Sequence, residues 1–213
     1  MSYWQNYHLA VSLKDALDTL AESPPLTRVV AGGTDLLLDL QQGRHLPIHT
    51  LVDVTQIPEL TALEVRQEWL FVGAGLPLNQ VVASPLVRQH SQALFEAAGM
   101  IGGPQVRNSA TLGGNVGHAL PAADGTIALL ACGAQAELAD RQGCRRVSMQ
   151  ELFAGPGKST LDPQREMLVG FYLPLRRLST ASAFRRVMRP QGVAIAILNM
   201  GVWLERKADL ISD

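Results

Sequence analysis

The chain has 213 residues, 47% hydrophobic and 17% charged, with 18 basic against 19 acidic side chains and a net charge of -1. So even a balance gives no electrostatic basis for binding nucleic acid or an anionic membrane. The hydrophobic fraction suffices for a core and the length allows one large domain or two small ones, while the two cysteines, Cys132 and Cys144, cannot frame a disulfide scaffold, a zinc site or an iron–sulfur cluster.

Apolar runs such as Val193 to Leu198 fall far short of the roughly 18 residues needed to span a bilayer. The opening Met1-Ser-Tyr-Trp-Gln-Asn has no basic region followed by an apolar one, so no secretory signal is read and a cytoplasmic location is expected. Ser12 to Leu20 is predicted as a helix, with Ser12 as N-cap and Leu13, Ala16, Leu17 and Leu20 at helical spacing, ended by Pro24-Pro25. Arg28 to Ala31 reads as a buried strand entering a glycine turn, Asp35 to Gln42 as the following helix, and Leu51 to Val54 as a second strand. Roughly the first 55 residues therefore read as a small α/β lobe.

A second lobe begins with the strand Trp69 to Val72. Helices are predicted over Leu78 to Val82, Pro85 to Gly99 and Ile127 to Cys132, strands over Ala134 to Ala139 and Met167 to Leu173, and a short capped helix over Ser148 to Phe153. Pro174 stops the last strand and Arg176 to Thr180 reads as a linker. Ala183 to Met188 and Val193 to Leu204 are predicted as a hairpin joined around Arg189-Pro-Gln-Gly192.

The chemistry is most legible between Arg107 and Asp124. Gly113 and Gly114 lack a Cβ, so the backbone can turn sharply and a bulky ligand can approach its amides. Thr111 and Asn115 flank them with a hydroxyl and a carboxamide, consecutive free N–H groups form an anion-binding concavity, and Asp124 adds an acceptor suited to a sugar hydroxyl. A lone Gly-Gly pair between apolar runs is ordinarily a plain turn. Here the same order occurs upstream in Val29-Val-Ala-Gly-Gly-Thr-Asp-Leu36, where Gly32-Gly33 precede Thr34, and two such cradles could grip one diphosphate from both sides.

In this combination and order, Ala31 to Asp35 (AGGTD), Gln105 to Asn115 (QVRNSATLGGN) and Pro121 to Asp124 make the chain resemble the FAD-binding medium subunits of the molybdenum hydroxylases. That family includes xanthine dehydrogenases, carbon monoxide dehydrogenases and 4-hydroxybenzoyl-CoA reductases. The resemblance implies an α+β, two-lobed FAD-binding fold of the vanillyl-alcohol-oxidase/PCMH type. Its small α/β lobe would occupy residues 1–55 and its larger mixed lobe 56–176, with 177–213 opening an incomplete C-terminal domain. Asp213 is accordingly expected not to be the natural end of the polypeptide.

The resemblance also implies non-covalent FAD. Val29, Val30, Ala31, Gly32, Gly33, Thr34, Asp35 and Leu36 would hold its pyrophosphate from one side, and Thr111, Leu112, Gly113, Gly114 and Asn115 from the other. Asp124 would contact a flavin hydroxyl, and Ile101 and Leu168 would line the ring or the adenine. Arg185, by itself an edge-strand arginine on a solvated face, takes the place of a basic position near the flavin. The implied partners are a molybdenum-cofactor large subunit and a [2Fe-2S] small subunit, with electrons passing through FAD to an acceptor such as NAD.

The remaining residues point elsewhere only weakly. Gly73-x-Gly75 lacks the third glycine and the acidic residue of a nicotinamide fingerprint. His8, His45, His49, His90 and His118 show no paired ligand spacing, and His118, inside the second glycine stretch, is read as a supporting residue. No nucleophile elbow or activated cysteine motif occurs, so redox chemistry would come from a bound cofactor. Two rival readings stand beside the electron-transfer subunit: a non-redox nucleotide-binding scaffold or assembly subunit, and a stand-alone flavin oxidoreductase.

Overall fold

A computed structural model of the protein describes residues 2–189, 194–208 and 210–211. The chain runs β1 (Trp4–Leu9), α1 (Leu13–Glu22), β2 (Arg28–Val30), α2 (Leu36–Gln41), β3 (Ile48–Asp53), α3 (Pro58–Thr61), β4 (Leu63–Arg66) and β5 (Trp69–Gly73). Six helices follow: α4 (Leu78–Ala83), α5 (Pro85–His90), α6 (Gln92–Met100), α7 (Pro104–Arg107), α8 (Leu112–Gly117) and α9 (Asp124–Ala131). Then come β6 (Gln135–Asp140), β7 (Gly143–Ser148), a 3-10 turn (Met149–Leu152), β8 (Phe153–Gly155), β9 (Lys158–Ser159), β10 (Met167–Pro174), β11 (Thr180–Val187), β12 (Leu198–Lys207) and β13 (Leu210–Ile211). The fold is α+β.

A parallel three-stranded sheet, in the order β1-β3-β2, carries the first glycine loop at the end of β2. A five-stranded antiparallel sheet follows in the order β4-β5-β10-β6-β7. One face of this larger sheet packs under the helices α4 to α9 around Leu70, Leu94, Leu112, Leu129 and Phe171. Its other face, through Phe71, Met167 and Tyr172, meets Ala16, Leu17 and Leu20 of α1 and Val52 of β3. That shared core fixes the small sheet against the large one. The last sheet, β11-β12-β13, packs its inner face on α6 and α9, with Phe184 fully buried.

Helix α1 forms where its spacing predicts, with Ser12 Oγ accepting from the Asp15 N–H. The single helix expected over Pro85 to Gly99 is instead two, because Ser91 ends α5 and its hydroxyl accepts from the Leu94 N–H to start α6. The capping box at Ser148 is present, with Glu151 accepting from the Ser148 N–H and hydroxyl. The hairpin is antiparallel, pairing Val187 with Leu198 and Thr180 with Glu205. The bend expected at Arg189 to Gly192 lies, after Arg189, outside the described residues, as does Val193, but Ala194 to Ile197 are described and stand outside the ladder, so the second strand starts at Leu198 rather than at Val193. β1, β4, β7 and the β8/β9 ribbon were not predicted; they are edge strands or short strands with mixed polarity, so no clean alternation marks them.

Candidate functional site

The two glycine stretches meet. A Cβ on Gly32 would lie 1.9 Å from the Ser109 carbonyl oxygen, so only glycine lets the loop after β2 rest on the backbone that leads into α8. Among the described residues, the N–H groups of Gly32, Gly33, Thr34 and Asp35 donate to no protein acceptor, which leaves a row of free donors at the loop expected to hold an anion.

The second stretch has a different form. Thr111 to Asn115 is not a free turn but the start of α8: Gly114 N–H donates to Thr111 Oγ1 at 3.0 Å and Asn115 N–H to the Thr111 carbonyl at 3.1 Å. Gly113 N–H donates to the Ala74 carbonyl at 2.8 Å, and its Cα packs so tightly there that a Cβ would sit 2.6 Å from that same oxygen. The expectation of free amides therefore holds at the first stretch and fails at the second, where capping and close packing engage them. Gly114 is less confined: outside its own helix backbone a Cβ there would meet only Thr111 Oγ1, at 3.2 Å.

Between these elements lies a cavity of about 1130 Å³. Its walls include Val29 to Leu36, Ile101, Thr111, Gly113, Gly114, Asn115, Asp124 and Leu168, so the structure gathers nearly all the sequence-predicted residues into one place. Two are elsewhere. Leu112 is fully buried in the main core beneath the helices rather than on the cavity wall. Arg185 points away, its side chain 68% exposed and its Nη1 2.7 Å from Glu96 Oε2. Burial pushes the Glu96 carboxyl up, but hydrogen bonds from Arg185, the Phe184 N–H and Gln92 outweigh it and hold its pKa below the ordinary value.

Arg186 is the arginine on the cavity, and sequence reasoning missed it. Its side chain is 7% exposed and its Nη1 lies 2.5 Å from Asp124 Oδ2, while Asn199 Nδ2 donates to Asp124 Oδ1 at 3.0 Å. Each Asp124 oxygen thus already accepts one bond, from β11 or from β12, while the residue lines the cavity with acceptor capacity left on its carboxylate. Strand parity is the signal that finds Arg186: it shares a face with buried Phe184, whereas Arg185 shares the outer face with Ala183 and Val187. Asp39, His45, Gly75, Lys158, Glu166 and Ala194 to Ala196 also line the cavity without having been predicted.

Three features fit this cavity to a dinucleotide cofactor. It is larger than the roughly 300–1,000 Å³ of ordinary small-molecule pockets, its floor is a glycine loop with free N–H groups, and Asn115 Oδ1, His118 Nδ1 and Arg186 Nε on its walls are buried without a protein partner. Among the described residues, no three His, Cys, Asp or Glu side chains gather to hold a metal, and no helix is long and apolar enough to cross a membrane. Cys132 is buried and Cys144 exposed; burial pushes the Cys132 thiol up, though hydrogen bonds with Ser91 and Ser182 oppose it.

Fold and cavity together define a nucleotide-cofactor domain built on an α+β scaffold, and comparison with known proteins gives its family. The family described as the FAD binding domain in molybdopterin dehydrogenase matches residues 3–176, and the chain belongs to it. The chain is 34% identical over 170 residues to the xanthine dehydrogenase FAD-binding subunit of Escherichia coli O157:H7, covering 79% of this chain and 57% of that protein. It is 28% identical over 192 residues to the nicotinate dehydrogenase FAD-subunit of Eubacterium barkeri, covering 89% and 64%. Among solved structures, a carbon monoxide dehydrogenase from Hydrogenophaga pseudoflava lacking the Mo-pyranopterin moiety superposes with a TM-score of 0.93 at 26% identity, over 100% of this chain and 73% of that one. The chain spans less than two thirds of the length of these two curated relatives. FAD is the cofactor of the family, and the cavity fits it.

Proposed function

We propose that the chain is the FAD-carrying, electron-transferring part of a molybdenum hydroxylase of the xanthine dehydrogenase type. Its partners would be a molybdenum-cofactor large subunit and a [2Fe-2S] small subunit, and its acceptor a molecule such as NAD, all in the cytoplasm. The observation that carries the reading is the single cavity in which a free-amide glycine loop abuts the start of a second glycine-rich element. When bound, FAD supplies the capacity to take up and release electrons.

The chain's own residues bind and orient. In this reading the N–H groups of Gly32 to Asp35 face the pyrophosphate, with Thr34 beside them and the Gly113-Gly114 end of α8 closing the opposite side. Ile101 and Leu168 supply apolar walls for a ring. Arg186, held by Asp124 and Asn199, brings a fixed cation to the wall, where it favours an anionic or carbonyl group of the cofactor. The division into lobes at residues 55 and 176, with the hairpin opening a further domain, belongs to the same proposal.

The test is to load the chain with FAD and follow flavin absorbance with a low-potential chemical reductant, then assay heterocycle and aldehyde oxidation with and without the cluster and molybdenum subunits. Reduction by the chemical donor, with substrate oxidation confined to the complex, is the expected result. Binding without reduction would favour the scaffold, and substrate turnover by the chain alone the stand-alone enzyme.

A further inference from the structure

A second cavity, of about 150 Å³, lies where the segment after β10 meets the β11–β12 hairpin and the start of α6. It shares no lining residue with the cofactor cavity. Ser182 lines this one and Arg186 the other, four residues further along β11, or about 13 Å of strand. The electron-transfer reading makes no use of it.

Part of its polar lining is already spent. Ser91 Oγ accepts from the Leu94 N–H at 3.3 Å and Ser182 Oγ from the Ala93 N–H at 3.2 Å, so both hydroxyls serve the first turn of α6. Ser91 Oγ also meets Cys132 Sγ at 3.4 Å. Other donors are open. His90 Nδ1 accepts from the Arg176 N–H at 3.3 Å, and burial together with the Arg176 charge lowers the His90 pKa. At neutral pH the ring is therefore uncharged, with its hydrogen on Nε2. Arg176 donates Nε to the Thr180 carbonyl at 3.2 Å, which holds a permanent cation on the wall. Among the described residues, His90 Nε2, the Trp203 indole N–H and the Gln92 N–H donate to no protein acceptor.

No carboxylate lines the cavity. Glu96, which accepts from Gln92, is engaged by Arg185 and the Phe184 N–H, and Glu205, opposite Thr180 in the hairpin ladder, stands outside the lining. A fixed cation and unspent N–H donors without a facing anion call for an acceptor that carries negative charge. Leu173, Pro174 and Ala181 add an apolar wall, and the volume is that of a cavity able to hold a benzene ring, more than a bare inorganic ion fills. We propose that this cavity binds a small organic acid, with its carboxylate on Arg176 and His90 and its carbon body against Leu173 and Trp203. Such a ligand bridges α6, the segment after β10 and the hairpin. The inference does not depend on the assignment of FAD to the larger cavity.

The experiment titrates the isotope-labelled 213-residue chain with benzoate at constant ionic strength and follows the indole N–H signals of Trp4, Trp69 and Trp203 by NMR, with acetate and inorganic phosphate as comparisons. A saturable shift of the Trp203 signal alone is expected, with a dissociation constant on the order of 1 mM and weaker binding of acetate, which leaves the apolar wall uncovered. Arg176→Gln should weaken benzoate about tenfold. Arg177→Gln, exposed and outside the lining, should leave it unchanged. Absence of a saturable Trp203 shift, a response at Trp4 or Trp69 instead, or full affinity in folded Arg176→Gln overturns the inference. Phosphate binding as tightly as benzoate overturns the organic acid in favour of a plain anion site. The same titration with FAD present is expected to give the same constant, and competition between the two ligands would overturn the separate cavity; a chain that binds no FAD leaves this inference standing and removes only the cofactor assignment.

Discussion

The loop from Ala31 to Asp35 and the helix start from Thr111 to Asn115 each set two glycines beside a threonine, yet they use their backbones in opposite ways. In the loop, the four N–H groups from Gly32 to Asp35 are free and Gly32 serves contact with Ser109. In the helix, the N–H groups of Gly113, Gly114 and Asn115 are all bonded, and Gly113 serves contact with Ala74. A glycine pair thus signals close approach of something to the backbone, but whether that something is a ligand or another part of the chain depends on where the amides go.

The largest effect should come from Gly32→Val. A side chain there collides with backbone that cannot swing aside, so we expect loss of FAD binding and destabilisation of about 3 kcal/mol or more, read by thermal melting and flavin titration. Arg186→Ala should follow closely, because it leaves the buried Asp124 with Asn199 alone; breaking such a pair costs about 3–5 kcal/mol before the remaining partner's contribution is counted. Arg185→Ala, on the exposed side of the same strand, should change stability by less than about 1 kcal/mol.

Gly114→Val separates the two uses of glycine within α8. Its Cβ would meet only Thr111 Oγ1, at 3.2 Å, so the fold should survive with a modest fall in melting temperature from pressure on that cap while FAD affinity falls by at least tenfold; unchanged affinity in the folded variant would remove α8 from the binding surface. The threonines give a smaller contrast. Thr111→Ala deletes a helix cap and should cost about 1 kcal/mol, whereas Thr34→Ala caps nothing and should alter FAD affinity with little change in melting.

The smallest expected effect concerns acid stability. The Glu96 pKa is depressed in the folded chain, so this group contributes stability above its unfolded value and loses that contribution as pH falls through its folded one. Arg185→Ala should therefore reduce stability at neutral pH but leave it nearly unchanged in strong acid. An equal loss at both would mean that the arginine acts through packing.

What could be read from the sequence was local. The Ser12 cap, the apolar stripe of α1 and the glycine loop after β2 are set by neighbours within a few residues, and they form as expected. The nature of α8 could not be read that way, since a helix with three glycines in six residues exists because of Ala74, Asp39 and the Thr111 cap, two of which are distant in sequence. The arginine was misassigned by one position, and in a strand a shift of one residue moves a side chain to the opposite face. The partners of Asp124, Arg186 and Asn199, come from a hairpin that ordinary strand patterns do not connect to α9.

Strand β10 has a consequence for how the molecule is made. It lies in the middle of the five-stranded sheet, pairing Gly170 with Gly73 on one side and Phe171 with Ala136 on the other, although it is the last of the five strands in the chain. On a ribosome, β4 with β5 and β6 with β7 emerge as two separate hairpins, each with an open inner edge and half of a hydrophobic face, and they stay apart until the segment ending at Pro174 has been synthesised. Between the end of β7 at Ser148 and the end of β10 at Pro174 the nascent chain therefore carries two sticky, unjoined half-sheets, a state in which chaperone binding competes with aggregation. Completion of a single late strand joins them, and the core that supports the cofactor cavity closes in that same event.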